Sequence, residues 1–367
     1  MDFSLTEDQD AIRALAERLF ADHLPDDARA ALYQRDAPFD QPAWDSLVAA
    51  GLTGLVVPEH AGGSGLGLMD LAQVLQAQGA VCAPVPLLSA ALAALGLAHF
   101  QADHAALSQI AGGTIVTVAL PSYRFAHANV PTLDAGVLSG RAEAVPYGMM
   151  ADGAVIIARD QDQSVLVYVP LTGAGVTRAP ATLMSGEPAA QLRFDHAAYD
   201  ILVSGPEALS FMQERAFTLQ AALTVGTLQE ALTRTADYIG ERKQFGRPIA
   251  GFQAVSQQMA DAYMALEALR TIMWKALARL DAPGATAPAV AGAVKYWVSE
   301  AAHKVAHTCL HLHGGIGQDL DYPIQRYFVW AKHQGVYLGS GTDHLPAIGA
   351  LALDGALLKD YQALAPA

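Results

Sequence analysis

The feature that most constrains the fold is a set of three long apolar stripes in the C-terminal part of the chain. Their members recur every three or four residues, which places side chains on one face of an α-helix. The stripes begin at Leu209, Val255 and Val290, and a further helix is expected after Gly341. Helices of this kind bury their stripes against one another, so residues 206–367 are predicted to form a four-helix bundle.

The N-terminal part of the chain is also predicted to be helical. Thr6 followed by Gln9 fits a capping box at the start of a first helix. The glycines of 62–67 lack the G-x-G-x-x-G spacing of a dinucleotide loop, and no βαβ pattern surrounds them. We therefore interpret that loop as a tight connector within a helical domain of residues 1–112.

Residues 113–205 have a different period. Short runs rich in β-branched residues alternate with turn formers such as Asp152-Gly153. This pattern predicts an antiparallel β barrel or sandwich and, with the flanking helical parts, an α+β multidomain fold. The predicted strands are Thr114–Leu120, Val137–Ala144, Ala154–Ala158, Val165–Val169 and Gln191–Phe194.

Charge and cysteine content exclude several function classes. The formal net charge of −14 argues against nucleic acid or an anionic membrane as a partner. Cys82 and Cys309 have no metal-binding or redox spacing, and His311 and His313 do not share a helical face, so no metal site is expected. The acidic N-terminus lacks a signal peptide's pattern, and the apolar run Leu87–Ala98 is too short to span a bilayer. We expect a soluble cytoplasmic protein with buried free thiols.

Two motifs carry a resemblance to a known family. Residues 241–253 read ERKQFGRPIAGFQ, and residues 311–345 open with HLHGGIG and close with LGSGTDHL. With the order of domains predicted above, they resemble the acyl-CoA dehydrogenase family of FAD flavoproteins over the whole chain. The resemblance implies α,β-desaturation of an acyl-CoA thioester, in which a carboxylate takes the α-proton and the β-hydrogen leaves as hydride to the flavin.

The resemblance also implies contacts to the adenosine and diphosphate side of FAD. In similar proteins the matching arginine and glutamine reach the cofactor of a neighbouring subunit, and arginine is by its chemistry a bidentate phosphate ligand. His311 stands where the family often has glutamine, and its imidazole can still donate a hydrogen bond. The glycines after it either admit a cofactor or only end the helix. The implied contacts are Arg242, Phe245, Gln253, His311, Gly314, Gly315 and Thr342.

The side that should hold the flavin ring matches the family poorly. Similar enzymes have a Thr-Glu-Pro-like loop, and its nearest match here, Ala119–Pro121, has neither hydroxyl nor acid. A later aromatic and hydroxyl run of the family is replaced by Val145–Gly148. The chain therefore keeps the residues of the adenosine side and loses those of the ring side.

The positions of the family's catalytic glutamate are occupied by other residues. One branch carries it before Gly-Thr, where this chain has Ser340, and another carries it on the first bundle helix, where counting gives Ala216. Glu214 lies two positions away, on another face of that helix. A serine hydroxyl cannot deprotonate a carbon acid without an activator. Asp343 is a candidate displaced base, and the alternative is that it is an acid at a helix start, favoured by the helix dipole.

These features favour one hypothesis over two others. The chain resembles the base-lacking subunit of bacterial α2β2 acyl-CoA dehydrogenases of steroid side-chain breakdown, which implies a homologous partner with the glutamate and an acceptor such as electron-transfer flavoprotein. The alternatives are a self-sufficient homotetramer that uses Asp343, and a scaffold without activity. The retained Arg242 counts against the scaffold. Small residues at Ala221, Ala222 and Gly226 fit either a pocket for a bulky acyl group or close helix packing.

Overall fold

The structure is a computed structural model that describes residues 4–35, 38–122, 130–134, 136–282 and 285–355. Its α-helices are α1 (Glu7–His23), α2 (Asp26–Tyr33), α3 (Gln41–Ala49), α4 (Leu68–Val81), α5 (Leu87–Phe100), α6 (Ala106–Ala111), α7 (Pro206–Glu241), α8 (Gln253–Leu280), α9 (Pro288–His313), α10 (Pro323–Val336) and α11 (Gly341–Leu353). Its strands are β1 (Val116–Ala119), β2 (Thr132–Asp134), β3 (Val137–Pro146), β4 (Gly153–Asp160), β5 (Gln163–Pro170), β6 (Val176–Thr182), β7 (Pro188–Ala197), β8 (Asp200–Ser204), β9 (Lys243–Gln244) and β10 (Arg247–Pro248).

Helices α1–α6 form the N-terminal part, and two of its predicted features are confirmed. The Gln9 N–H donates to Thr6 Oγ1 at 3.2 Å and the Thr6 N–H donates to Gln9 Oε1 at 3.1 Å, which is the predicted capping box. In the glycine loop, a Cβ added to Gly63 would lie 2.1 Å from the Val57 carbonyl oxygen. Only glycine allows so close an approach of two backbone segments, so the loop is a tight connector.

The middle part is one eight-stranded sheet in the order β6-β7-β3-β2-β4-β5-β8, with β1 paired to β4. The five predicted runs are strands β1, β3, β4, β5 and β7, whereas β2, β6 and β8 were not predicted. The antiparallel prediction is wrong for two strands, because β1 and β2 both run parallel to β4. Apolar alternation shows which face of a strand is buried and contains no information on strand direction.

The C-terminal part contains the three predicted long helices and two shorter ones. Helices α7, α8 and α9 bury the predicted stripes, and α10 and α11 both pack on α9. Helix α11 is the predicted fourth helix, and α10, which lies between α9 and α11 in the chain, is an additional helix that was not predicted. Its buried face is built around Tyr327 and Trp330, which are wide aromatic residues in a stretch with few aliphatic ones.

Close packing between α4 and α7 decides the role of the small residues on α7. A Cβ on Gly226 would lie 2.0 Å from the Gln76 carbonyl oxygen, and one on Gly79 would lie 2.0 Å from the Leu223 carbonyl oxygen. Ala221 and Ala222 are fully buried. These residues therefore serve helix packing, as one of the two interpretations held.

Two further findings concern compartment and redox chemistry. Within the described ranges, no helix combines the length and the apolar character needed to cross a membrane. Cys82 and Cys309 are free and buried, as predicted, and burial raises the pKa of the Cys309 thiol to about 11. Thiols in this state are poor nucleophiles.

Candidate functional site

The carboxyl ends of α7 and α9 meet at one end of the bundle. The Tyr238 and His313 rings stack with centroids 4.4 Å apart, and the Tyr238 hydroxyl donates to the His313 carbonyl oxygen at 3.4 Å. Helix α8 packs antiparallel to α9, with Lys304 Nζ 3.6 Å from Asp261 Oδ2, so α8 begins at the same end. We call this region, formed by Tyr238–Gln253 and His311–Gly315, the open end.

A short hairpin protrudes from the open end. Strands β9 and β10 pair across a tip formed by Phe245 and Gly246, both with left-handed φ values of 53° and 81°. Phe245 is 92% exposed, and Arg242 and Gln253 at the base of the hairpin are exposed too. A large aromatic side chain held at positive φ and in water is costly on its own, which marks the hairpin as a recognition surface.

The Gly-Gly turn after α9 lies at the same end. Gly314, with φ 63°, ends the helix, and its N–H donates to the His311 carbonyl oxygen. A Cβ added at Gly314 or Gly315 would meet nothing within 4 Å. The turn therefore ends the helix, as one interpretation held, and its backbone is also open to a ligand. His311 beside it is exposed.

A cleft of about 300 Å³ adjoins this turn. Tyr238, His313 and Tyr322 form one aromatic wall, with His313 5.4 Å from the Tyr322 ring. Burial lowers the pKa of His313, so the ring is neutral at neutral pH. Six of the seven cofactor contacts implied by the sequence thus share this end of the bundle.

The seventh, Thr342, lies elsewhere. It lies in the first turn of α11, whose Gly341 is packed so closely on α9 that an added Cβ would lie 3.0 Å from the Tyr296 backbone. Tyr296 and His313 are 17 residues apart on α9, which corresponds to about 25 Å at 1.5 Å per residue. Within one chain, Thr342 therefore cannot contact the same small chemical group of a ligand as the other six residues.

The connection from α10 to α11, Tyr337–Ser340, is called the α10–α11 turn. Ser340 caps α11: its N–H and its Oγ both donate to Asp343 Oδ2, each at 2.8 Å. Ser340 Oγ also lies 3.0 Å from Thr342 Oγ1. Asp343 is thus the acid of a capping box, which agrees with the structural interpretation of this residue.

The other acid weighed in the sequence, Glu214, is also engaged. Its Oε2 accepts a hydrogen bond from the Ala287 N–H at 2.7 Å, at the start of α9, and burial raises its pKa. Ala216, which the resemblance places at the position of the family's second glutamate, is 1% exposed and offers only a methyl group. Both helix positions are therefore part of the packed core.

A slot of about 200 Å³ separates the sheet from the α10–α11 turn. The two segments proposed for the ring side, Ala119–Pro121 and Val145–Gly148, both contribute to its sheet wall. Tyr337 and Leu338 form the opposite wall, and Glu143, paired with Arg141 at 3.1 Å, lines the slot. The polar side chains among its lining residues are Ser122, this acid and Tyr337.

Sequence reasoning missed a buried carboxylate beside a small central cavity of about 40 Å³, where the three parts of the chain meet. Glu187 Oε1 accepts from the Tyr147 hydroxyl at 2.8 Å, and Oε2 accepts from Ser185 Oγ at 2.7 Å. Burial raises the pKa of Glu187, and the two donors oppose that shift. The cavity has room for a few water molecules at most. The one sequence signal was an acid next to Pro188 in a strand-rich region, which is too weak to single it out.

The described residues contain no group of three or more histidine, cysteine, aspartate or glutamate side chains that could hold a metal ion. The polar groups of the two candidate regions are instead suited to hydrogen bonding. The open end presents donors to solvent, and the α10–α11 turn has its own donors and acceptors paired internally.

Comparison with known proteins gives matches over nearly the whole chain. The family described as acyl-CoA dehydrogenase, N-terminal domain, matches residues 6–103, and the acyl-CoA dehydrogenase C-terminal domain matches residues 208–350. Acyl-CoA dehydrogenase FadE27 of Mycobacterium tuberculosis is 32% identical over 370 residues, covering 95% of this chain and 98% of its own. FadE28 of the same organism is 30% identical over 365 residues, covering 95% and 98%.

Two solved structures agree with these matches. The Tcur3481-Tcur3483 steroid ACAD, solved as a variant, is 35% identical with a TM-score of 0.89, covering 96% of this chain and 99% of its own. A chain of the ChsE4-ChsE5 complex from Mycobacterium tuberculosis is 30% identical with a TM-score of 0.88. The match covers 100% of this chain and 100% of the matched chain.

Proposed function

Because this chain belongs to the acyl-CoA dehydrogenase family, we propose that it is one subunit of a FAD-dependent acyl-CoA dehydrogenase whose homologous partner supplies the catalytic glutamate. The reaction is an oxidation of a CH–CH bond, which introduces an α,β double bond into an acyl-CoA thioester. This chain supplies the adenosine and diphosphate side of the FAD site. The partner supplies the ring pocket and the base that takes the α-proton.

The observation that carries the proposal is the hydrogen bonding of Asp343. A base for the weakly acidic α-proton must present a free carboxylate oxygen to the substrate. Asp343 Oδ2 instead accepts two hydrogen bonds from Ser340, which hold the side chain against the start of α11. Ser340 and Ala216 occupy the two family positions of the glutamate, and neither side chain is a base. Proton abstraction is therefore assigned to the partner.

The residues of the open end fit a dinucleotide bound between two chains. Arg242 is exposed, and its guanidinium can hold a diphosphate through two parallel hydrogen bonds. Phe245 and Gln253 are exposed beside it, and a Cβ added at Gly314 or Gly315 would meet nothing within 4 Å. FAD bound there supplies the hydride acceptor for the β-hydrogen. This chain's residues bind and orient the diphosphate end.

The slot beside the α10–α11 turn fits the isoalloxazine ring poorly. Ala119 and Leu120 have no side-chain donor for the ring's polar edge, and the carboxylate of Glu143 lines the wall. An acid there opposes the negative charge that a flavin gains on reduction. We therefore propose one flavin for each pair of unlike chains.

Similarity to named complexes supports the partner and the substrate class. The ChsE4-ChsE5 structure is a complex of two named chains, and the Tcur3481-Tcur3483 protein is described as a steroid ACAD. We accordingly propose an α2β2 assembly, a steroid-type acyl-CoA as substrate, and an electron-transfer flavoprotein as electron acceptor. The negative net charge of −14 agrees with a cytoplasmic location away from anionic lipid.

The test of the assembly is co-purification with a homologous chain that carries the glutamate, with flavin counted per pair of chains. We expect one flavin per pair, desaturation of acyl-CoA by the pair, and little flavin and no desaturation with this chain alone. Full activity of the purified chain without a second polypeptide would overturn the proposal.

The test of the adenosine side is Arg242→Ala in the complex, with Lys243→Ala as the control. Both are exposed cations at the hairpin, but only Arg242 has the planar fork for a diphosphate. Loss of a hydrogen bond to a charged group costs about 1.5–3 kcal/mol, so flavin affinity should fall about 10- to 100-fold in Arg242→Ala. Lys243→Ala should retain flavin as the unaltered chain does. Equal retention in both variants would favour the scaffold hypothesis.

A further inference from the structure

We propose that Lys295 is a positioning residue, which holds the carboxyl end of α10 and thereby sets the α10–α11 turn. The residues involved are Lys295 and Ser299 of α9, Gln220 of α7 and the carbonyl oxygens of Gln334 and Gly335, which together are called the α10 clamp. The inference rests on the proposed function only where flavin retention is measured, since the clamp itself is formed within this chain.

The clamp is built from three side-chain donors that converge on two consecutive carbonyl groups. Lys295 Nζ donates to the Gln334 oxygen at 2.9 Å, and Gln220 Nε2 donates to the same oxygen at 2.8 Å. Ser299 Oγ donates to the Gly335 oxygen at 2.6 Å. Carbonyl groups in the last turn of a helix have no partner within the helix, and a cation there is favoured by the helix dipole.

The burial of these groups shows that the clamp is not a surface contact. Lys295 and Gln220 are 0% exposed, and Gln334 is 3% exposed. A buried ammonium group is disfavoured unless it is hydrogen-bonded, because it loses its hydration. Lys295 is the only buried lysine of the described ranges, and its ammonium group donates a hydrogen bond to the end of α10. Its position is therefore tied to that helix end.

The clamp lies directly before the residues that wall the slot. Helix α10 ends at Val336, and Tyr337 and Leu338 follow it as the slot's wall. On the other side of the turn, Gly341 sits against the Tyr296 backbone and the Ser299 Cβ, each 3.0 Å from an added Cβ. The turn is thus held on α9 from both sides. Any loosening of the clamp moves Tyr337, Leu338 and the Ser340–Thr342 segment together.

The charged and titratable groups around Lys295 come from two helices. Burial lowers the pKa of Lys295 to about 7, and the negative charge of Asp343 on α11 opposes that shift. On α10, burial and the Lys295 charge lower the pKa of His333 to about 4. On α11, burial and Lys295 also lower the pKa of His344. Lys295 is therefore the group of this cluster whose charge changes near neutral pH.

Two consequences follow from the loss of the Lys295 proton above about pH 7. The ammonium form is the stronger donor to the Gln334 oxygen, so the turn is held best at lower pH. The unfolded chain keeps its proton up to the ordinary lysine pKa of 10.5, so it binds more protons than the native chain between these values. The unfolding constant therefore falls, by up to about tenfold per pH unit from this group, as pH rises through that window.

The experiment compares Lys295→Met with Lys304→Met, an exposed lysine on the same helix. Flavin retention by the complex and urea unfolding of this chain are measured from about pH 6 to pH 9. In the unaltered protein and in Lys304→Met, we expect flavin retention to decrease as pH rises through 7. We also expect the unfolding constant of both to fall as pH rises, as described above for Lys295. Lys295→Met should lose both dependences and retain less flavin than the unaltered complex at pH 6.

Several results would overturn the proposal. One is a pH profile of flavin retention in Lys295→Met that matches the unaltered complex. If Lys295→Met does not fold, Ser299→Ala removes the neighbouring donor and leaves the net charge unchanged. Flavin retention by Ser299→Ala equal to that of the unaltered complex would then contradict the clamp. The unfolding measurement needs no flavin, so it separates failure of this inference from failure of the proposed function, which co-purification and Arg242→Ala test.

Discussion

The open end and the α10–α11 turn belong to the same bundle but satisfy their polar groups in opposite ways. At the open end, Arg242 and Phe245 are exposed and the Gly314–Gly315 backbone has empty space around it. At the turn, Ser340 is bonded to Asp343, and the α10 carbonyl groups are bonded to buried side chains. The open end leaves the side chains of Arg242 and Phe245 exposed, whereas the turn pairs its own polar groups.

This contrast separates two kinds of functional residue. Groups left without internal partners, on a strained and exposed hairpin, are expected to bind something outside the chain. Groups that are paired internally hold the fold, even where they occupy positions that carry the chemistry in related proteins. Changes at the open end should therefore alter binding with little effect on stability, whereas changes at the turn should alter stability and, through the Ser340–Thr342 segment, flavin retention.

The largest expected effect on stability is unfolding in acid, caused by protonation of His333, which lies in the last turn of α10. Burial holds its pKa at about 4, below the ordinary 6.5, so the native ring stays neutral while the unfolded ring takes up a proton. Unfolding is therefore favoured as pH falls from 6.5 to 4, by about 3 kcal/mol in total. We expect His333→Gln to lose this acid sensitivity in urea unfolding measured across that range.

The exposed His60 provides the control for that measurement. His60→Gln should keep the acid sensitivity of the unaltered chain. An identical acid slope in His333→Gln and the unaltered chain would show that another group causes acid unfolding.

A smaller effect is expected from Gly341→Ala, which adds a methyl group where α11 is in close contact with α9. Its Cβ would lie 3.0 Å from backbone atoms of Tyr296, so the turn must shift, at a cost of about 1–3 kcal/mol. Gly349 lies in the same helix with nothing within 4 Å of an added Cβ, so Gly349→Ala should instead stabilise by up to about 1 kcal/mol. Thermal unfolding of the two variants gives the comparison, and equal destabilisation would argue against the close contact.

The smallest effect on stability is expected from Phe245→Ala at the open end. Its side chain is 92% exposed, so the free energy of unfolding should change by no more than about 0.5 kcal/mol. The affinity of the Phe245→Ala variant for the partner chain should fall about tenfold or more, because exposed aromatic residues that become buried in an interface are frequent hot spots. Titration of the isolated chains would measure this, and unchanged affinity would remove the hairpin from the interface.

Sequence patterns predicted those parts of the fold that depend on neighbours along the chain. The helical stripes predicted α7, α8 and α9, and the Thr6 capping box is present because its two partners are three residues apart. Motif reading also led to the open end and to Ser340. Whether the seven residues that the motifs identified bind FAD stays a prediction, and so do the domain boundaries.

Tertiary structure decided what local patterns do not contain. The Lys295 bond to Gln334 joins residues 39 positions apart, and the Tyr147 bond to Glu187 joins residues 40 apart. The parallel pairing of β1 with β4 and the presence of α10 were likewise missed. Local spacing determines which face of an element is apolar, whereas the partner that covers the face depends on the packing of the whole chain. For that reason the sequence alone identified Ser340 as unusual, and only the packed bundle showed that the neighbouring Gly341 lies against α9.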